Sequence, residues 1–188
     1  MAQIKDNEIV EQWSTLIEGA QGRQAEFYQL VEDRLEELQP PHIEISRQKI
    51  YPSLISQMQG SNRLFIVIKN KRFANYVIYA GAEDYGKQIQ ICWFLTTRLS
   101  KLTEWGANMP AVISWIIFPF WLIEALIGKI TKRSIRLEHM DVFDSLELAA
   151  FAGTVHHAVT NGSQTISNTV GFDFSKVDQK SKGFLNLN

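Results

Sequence analysis

The sequence predicts an α+β fold: an antiparallel β-meander packed by an N-terminal helix and a C-terminal helix, interrupted by a long apolar insertion and followed by a polar tail. Three observations predict it. Short runs rich in aromatic and β-branched residues, separated by turn residues, occupy 42–95. Stretches with helical spacing of apolar residues flank that region on both sides. A run from 110 to 128 is almost wholly apolar.

Residues 7–38 read as the N-terminal helix. Ile9, Val10, Trp13, Leu16, Ile17, Ala20, Phe27, Leu30, Val31, Leu35 and Leu38 follow one stripe. Asp6 or Asn7 can cap its start, and Pro40-Pro41 forbids continuation. Gly19 and Gly22 each weaken the middle by about 1 kcal/mol against alanine, so a kink or two shorter helices fits equally well. Four strands are expected next. The first spans 42–51, the second is LFIVIK at 64–69, the third FANYVIYA at 73–80, and the fourth 89–95, with a loop at 81–86. Short hairpin connections leave no room for crossover helices, so the pairing is expected to be antiparallel. A second helix is expected over 141–160, with Val142, Phe143, Leu146, Ala149, Ala150, Gly153, Val155 and Val159 facing the sheet and a small-residue middle seated tightly on it. Residues 1–162 then form one domain, and 163–188, rich in Ser, Asn, Gly and Lys, read as a polar tail.

The bulk composition narrows the function classes. The chain has 188 residues, 45% hydrophobic and 21% charged, which suits a core that needs no staples. A formal net charge of -1 provides no global field for nucleic acid. The single cysteine, Cys92, permits neither an internal disulfide nor a cysteine-based zinc site. The first residues lack a basic start followed by an apolar region. No classical secretory signal is therefore read, and the expected location is cytoplasmic or the cytoplasmic face of a membrane.

The apolar run at 110–128 contains one ionisable residue, Glu124, and a central Pro119. Its length approaches the roughly 20 apolar residues needed to cross a bilayer. Lys129, Lys132, Arg133 and Arg136 follow it, and Arg98 and Lys101 precede it. Three readings compete: a single span, a partial insertion of two short arms around Pro119 with both flanks on one side, and burial in the domain's own core or an oligomer interface. A span would separate the meander from the 141–160 helix and leave each with an unburied face. The residues expected to make a membrane or partner contact are Trp115, Phe118, Phe120, Trp121, Leu122, Lys129, Lys132 and Arg133.

No motif assigns chemistry. HExxH, GxSxG, GxGxxG and GxxxxGK[ST] are absent. His156 and His157 are neighbours on a helix, about 100° apart, and cannot easily share an ion. Glu138, His139, Asp141 and Asp144 cluster without specific spacing, and Asp141 or Asp144 is better read as a helix cap. Lys69, Lys71 and Arg72 beside Phe65, Phe73 and Tyr76 could bind a single strand, but fit a solvated hairpin tip. The reading is thus a non-enzymatic membrane-associated accessory protein, with no catalytic, cofactor or metal site assigned. Its expected partner is a membrane surface, an assembly partner or a second copy. The alternative is a soluble domain binding a small hydrophobic ligand or lipid between sheet and helix, with Tyr76, Tyr79, Trp93 and Phe94 as walls.

Overall fold

The computed structural model describes residues 8–50, 63–97, 141–183, 185 and 187. Its elements in chain order are β1 (Ile9–Glu18), α1 (Gln24–Leu38), β2 (Ile43–Ile50), β3 (Arg63–Asn70), β4 (Tyr76–Tyr85), β5 (Gln88–Thr97), α2 (Val142–Val170) and β6 (Lys182–Gly183). The strands make one sheet in the order β2-β3-β4-β5-β1-β6, with every neighbouring pair antiparallel. The α+β class and the meander are as the sequence predicts.

The first departure is at β1, which was expected to be helix. Trp13 and Ile17 point into the core while Gln12, Ser14, Leu16 and Glu18 point out, the alternation of a strand. Leu16, which a helical stripe would bury, is 46% exposed. Gly19 and Gly22 take φ of +75° and +79°, which turns the chain from strand into α1. The Gly22 N–H donates to the Asp84 carboxylate at 3.0 Å and pins that turn to β4. α1 ends where Gln39 adopts a left-handed conformation before Pro40.

The second departure is at the expected loop 81–86, most of which is strand. β4 runs to Tyr85, and a turn through Gly86 (φ +64°) leads straight into β5. The ladder passes through Gly81 because the ring of Phe65 on β3 occupies the space above it. A Cβ on Gly81 would lie 2.6 Å from Phe65 Cε1. Phe73, expected in a strand, instead plugs the β3–β4 turn, and Tyr76 N–H donates to its carbonyl at 2.8 Å.

α2 continues past 160 to Val170. Its Ser and Thr hydroxyls bond back along the helix, Thr160 to the His156 carbonyl at 2.9 Å and Ser163 to that of Val159 at 2.7 Å, so they are satisfied without leaving it. Gly162 lets α1 approach, since a Cβ there would meet Val31 Cγ2 at 3.3 Å.

Both helices pack on one face of the sheet. The core between them draws on Trp13, Phe27, Val31, Ile66, Ile78, Trp93, Leu148, Phe151, Val155 and Val159. A second apolar cluster, Ile50, Phe65, Val67, Val77 and Tyr79 with Cys92 and Phe94, lies on the opposite face. The central strands are therefore apolar at successive positions, as sheets buried on both sides are.

Candidate functional site

α2 begins at the point where residues 98–140 rejoin the described fold. Asp141 caps it, its carboxylate accepting the Asp144 N–H at 2.7 Å. Arg72, in the β3–β4 turn, pairs with Asp144 at 3.4 Å and Glu147 at 2.5 Å. These ion pairs tie the first turns of the helix to the β3–β4 turn. Leu148 and Phe151 are directed into the core, and Val142, Phe143 and Leu146 face solvent at 71%, 78% and 63% exposure. Those three side chains are neighbours, spaced i, i+3 and i, i+4. The expected sheet-facing stripe through Val142, Phe143 and Leu146 is thus corrected: the buried stripe is Leu148, Phe151, Ala152, Val155 and Val159. Contiguous exposed apolar side chains of this kind mark contact surfaces.

The contact residues read from the sequence, Trp115, Phe118, Phe120, Trp121, Leu122, Lys129, Lys132 and Arg133, lie outside the described residues. So do Glu138 and His139. Among the described residues no helix is long and apolar enough to cross a membrane. The hairpin-tip cations face carboxylates, Lys71 that of Glu44 at 3.5 Å and Arg72 those of α2. The four wall residues proposed for a ligand pocket do not converge. Trp93 and Tyr76 belong to the helix-facing core, whereas Tyr79 and Phe94 belong to the opposite face.

Two neighbouring histidines have opposite fates. His157 is exposed, with Nε2 3.4 Å from an Arg34 nitrogen. His156 is buried between two tryptophan rings, Trp13 edge-on at 6.0 Å and Trp93 tilted at 5.6 Å between centroids. Trp93 Nε1 donates to His156 Nδ1 at 3.0 Å. An indole N–H can only donate, so Nδ1 is the acceptor and the imidazole carries its proton on Nε2. Burial holds its pKa below the ordinary 6.5, against the opposing pull of the Gln179 backbone and of Glu11. Glu11, on the inward side of β1, is fully buried and accepts from the Ser181 hydroxyl and from Leu185 N–H. This polar cluster went unread in the sequence. Its one signal is an acid at an inward position of a strand, visible only once β1 is recognised as a strand.

Cys92 lies half-buried on the far sheet face, and desolvation pushes its thiol up to about 12. That is the opposite of what a nucleophile needs. Among the described residues no group of three or more His, Cys, Asp or Glu is placed to hold a metal ion. No family model matches the chain, and neither does a curated relative or a solved structure.

Proposed function

We propose that this chain is a non-enzymatic, membrane-associated accessory protein that docks apolar surface into a membrane or an assembly partner. The observation that carries the reading is the outward-facing trio Val142, Phe143 and Leu146 at the point where the apolar insertion rejoins the fold. Burying each such side chain is worth about 1.5–3 kcal/mol, so the patch adds to whatever residues 110–128 contribute.

The fold supports docking from one side. β5 and α2 pack together, through Trp93 and His156 among others. The elements on either side of 98–140 thus belong to one body. A single crossing at 110–128 would have to separate α2 from β5, so their packing favours docking from one side over a span. Partial insertion or surface docking fits this better, and Lys129, Lys132 and Arg133 follow the apolar run in sequence as cations suited to anionic headgroups.

The test is co-sedimentation with phosphatidylcholine vesicles, with and without phosphatidylserine. Phe143→Asp with Leu146→Asp should leave circular dichroism unchanged and weaken binding at least about tenfold, the equivalent of ~1.4 kcal/mol. Lys132→Glu with Arg133→Glu should weaken binding to the anionic vesicles alone. A partner contact would respond to the first pair and not the second. If the unmutated chain stays in the supernatant, monomeric, and captures no partner, the proposal fails.

A further inference from the structure

β1 is flanked by β5 on one side and by the chain that returns after α2 on the other. Among the described residues the second ladder is two pairs long, Gln12 opposite Lys182 and Glu11 opposite Gly183. Beyond the Gln12–Lys182 pair the two chains part. A cavity of about 180 Å³ opens between them, lined by Gln12, Trp13, Ser14, Asp178, Lys180 and Lys182. Both ends of the opening are held. The ladder places Lys182, and Trp13 Nε1 donates to the Asp178 carbonyl at 2.8 Å. Ser181, between the two lysines, is buried, and its hydroxyl donates to Glu11. Trp13 is likewise buried between Gln12 and Ser14. Gln12, Ser14, Lys180 and Lys182 are therefore left on the exposed side of their chains.

The lining is rich in donors that the protein itself leaves unused. Among the described residues, the side chains of Gln12, Ser14, Lys180 and Lys182 make no hydrogen bond or ion pair with one another or with any other residue. Lys71 and Lys176, by contrast, each face a carboxylate at 3.5 Å. The one acid of the lining, Asp178, is turned back on its own chain, where its carboxylate accepts the Lys180 N–H at 3.0 Å. Two ammonium groups, an amide and a hydroxyl thus border one space with a net positive charge. Two like charges facing one cavity repel, and an anion between them removes the repulsion. At about 30 Å³ per water the space equals roughly six waters, which suits a tetrahedral oxyanion with part of its hydration. A phosphomonoester carries about −1.5 to −2 at pH 7 and three strong acceptor oxygens, so it answers both lysines at once. A carboxylate, with a single charge, does not.

We infer that the cleft between β1 and the chain after α2 binds a phosphomonoester group, with Lys180 and Lys182 neutralising its charge and Gln12 and Ser14 donating to its oxygens. The group belongs either to a free phosphate compound or to a lipid headgroup of the phosphatidic acid kind. The site is separate from the apolar trio on α2 and does not depend on the docking proposed there.

Titration of the isotope-labelled full chain with inorganic phosphate, followed by NMR, tests this. Saturable shifts should centre on Gln12, Ser14, Lys180 and Lys182, with a Kd on the order of 1 mM, as two exposed ion pairs and two hydrogen bonds allow. Lys180→Gln with Lys182→Gln should weaken binding at least about tenfold, with circular dichroism unchanged. Lys87→Gln, which removes an exposed lysine at the β4–β5 turn, should leave the affinity as it is. Vesicles then distinguish the sources. A headgroup site binds phosphatidic acid more tightly than phosphatidylserine at equal surface charge, and the lysine pair removes that preference. A site for a free phosphate compound binds phosphate in solution and shows no such preference. Shifts that do not saturate, or that spread over Lys87 and the other exposed cations, with equal binding to the two kinds of vesicle, would show charge screening alone and overturn the inference. Undiminished phosphate binding by the lysine pair would overturn it as well. If that variant does not fold, the shift map of the unmutated chain decides. Phe143→Asp with Leu146→Asp should leave phosphate binding unchanged, so failure here and failure of the docking reading are told apart.

Discussion

Replacing Trp93 with phenylalanine tests the buried tautomer lock directly. Trp93 is fully buried, and its indole N–H is the donor to His156 Nδ1. Phenylalanine keeps an aromatic ring in the core but supplies no donor. His156 Nδ1 is then a buried acceptor without a partner, at a cost of about 1–3 kcal/mol. The ring is smaller by roughly 40 Å³, and at ~24 cal/mol per Å³ the space left behind adds ~1 kcal/mol. The sum is about 3 kcal/mol, which for a domain of this size lowers Tm by roughly 6–12 °C. The pH dependence identifies the cause. Burial holds the folded-state pKa of His156 below 6.5. Between that value and 6.5 the unfolded chain binds more protons, so this contribution to stability is present above 6.5 and lost as pH falls toward the folded-state pKa. Without the indole donor, Nδ1 accepts a proton more readily, and the acid loss is smaller. The Tm gap between parent and variant, followed by circular dichroism, should therefore be wider at about pH 8 than at about pH 5. A gap below about 2 °C, or one independent of pH, would refute the assignment of donor and acceptor.

Two other predictions concern the far sheet face. Gly81→Ala should destabilise by about 1–3 kcal/mol, because the new Cβ would sit 2.6 Å from Phe65 Cε1 and the ring is held in a buried cluster; urea titration of Gly81→Ala alone and with Phe65→Leu should show the second change recovering part of the loss. Cys92, with its thiol pushed up to about 12 from 9.0, should react with iodoacetamide near pH 8 about a thousandfold more slowly in the folded chain than in urea, and equal rates would contradict its burial.

The meander was legible because its signals are local. The runs at 64–69 and 89–95 carry β-branched and aromatic residues between turns, and the structure places β3 and β5 there. β1 was not legible, because Ile9, Val10, Trp13 and Ile17 satisfy a helical stripe and an interrupted alternation alike. The deciding facts are the outward position of Leu16 and the positive φ of Gly19 and Gly22, which belong to the folded chain. The end of α2 was obscured for a related reason. Asn161, Gly162 and Ser163 have turn chemistry in isolation, yet Gly162 is required for the approach of α1, and Ser163 finds its acceptor one turn back. The candidate site was only half legible. The apolar character of 110–128 is plain from composition, but the exposure of Phe143 depends on the azimuth of α2, which follows from its buried stripe Leu148, Phe151, Val155 and Val159 on strands distant in sequence. Glu11 and Ser181 meet across almost the whole chain, and no periodicity reports such a pair.

The start of α2 and the segment that follows its end place different demands on the same body. The trio at the start of α2 is exposed while the helix behind it is clasped to the β3–β4 turn, so an apolar contact there is made without unfolding anything. The segment along β1 is tethered at many points, among them Glu11, which accepts from Ser181 and Leu185. α2 joins them. Its first turns carry Val142, Phe143 and Leu146, its middle carries His156, which bonds to the Gln179 backbone, and its end at Val170 leads into that segment. A rigid helix can bear on both ends only if its seat on the sheet is firm, and Trp93, Leu148, Phe151 and Val155 make that seat fully or almost fully buried. The exposed trio and the tethered segment are therefore expected to respond independently. Phe143→Asp with Leu146→Asp should leave exchange at Leu185 and Leu187 unchanged, and Gly183→Ala should leave vesicle binding unchanged. Coupling between them above about 1 kcal/mol would mean that α2 shifts as a unit, and that the seat on β5 is looser than its packing implies.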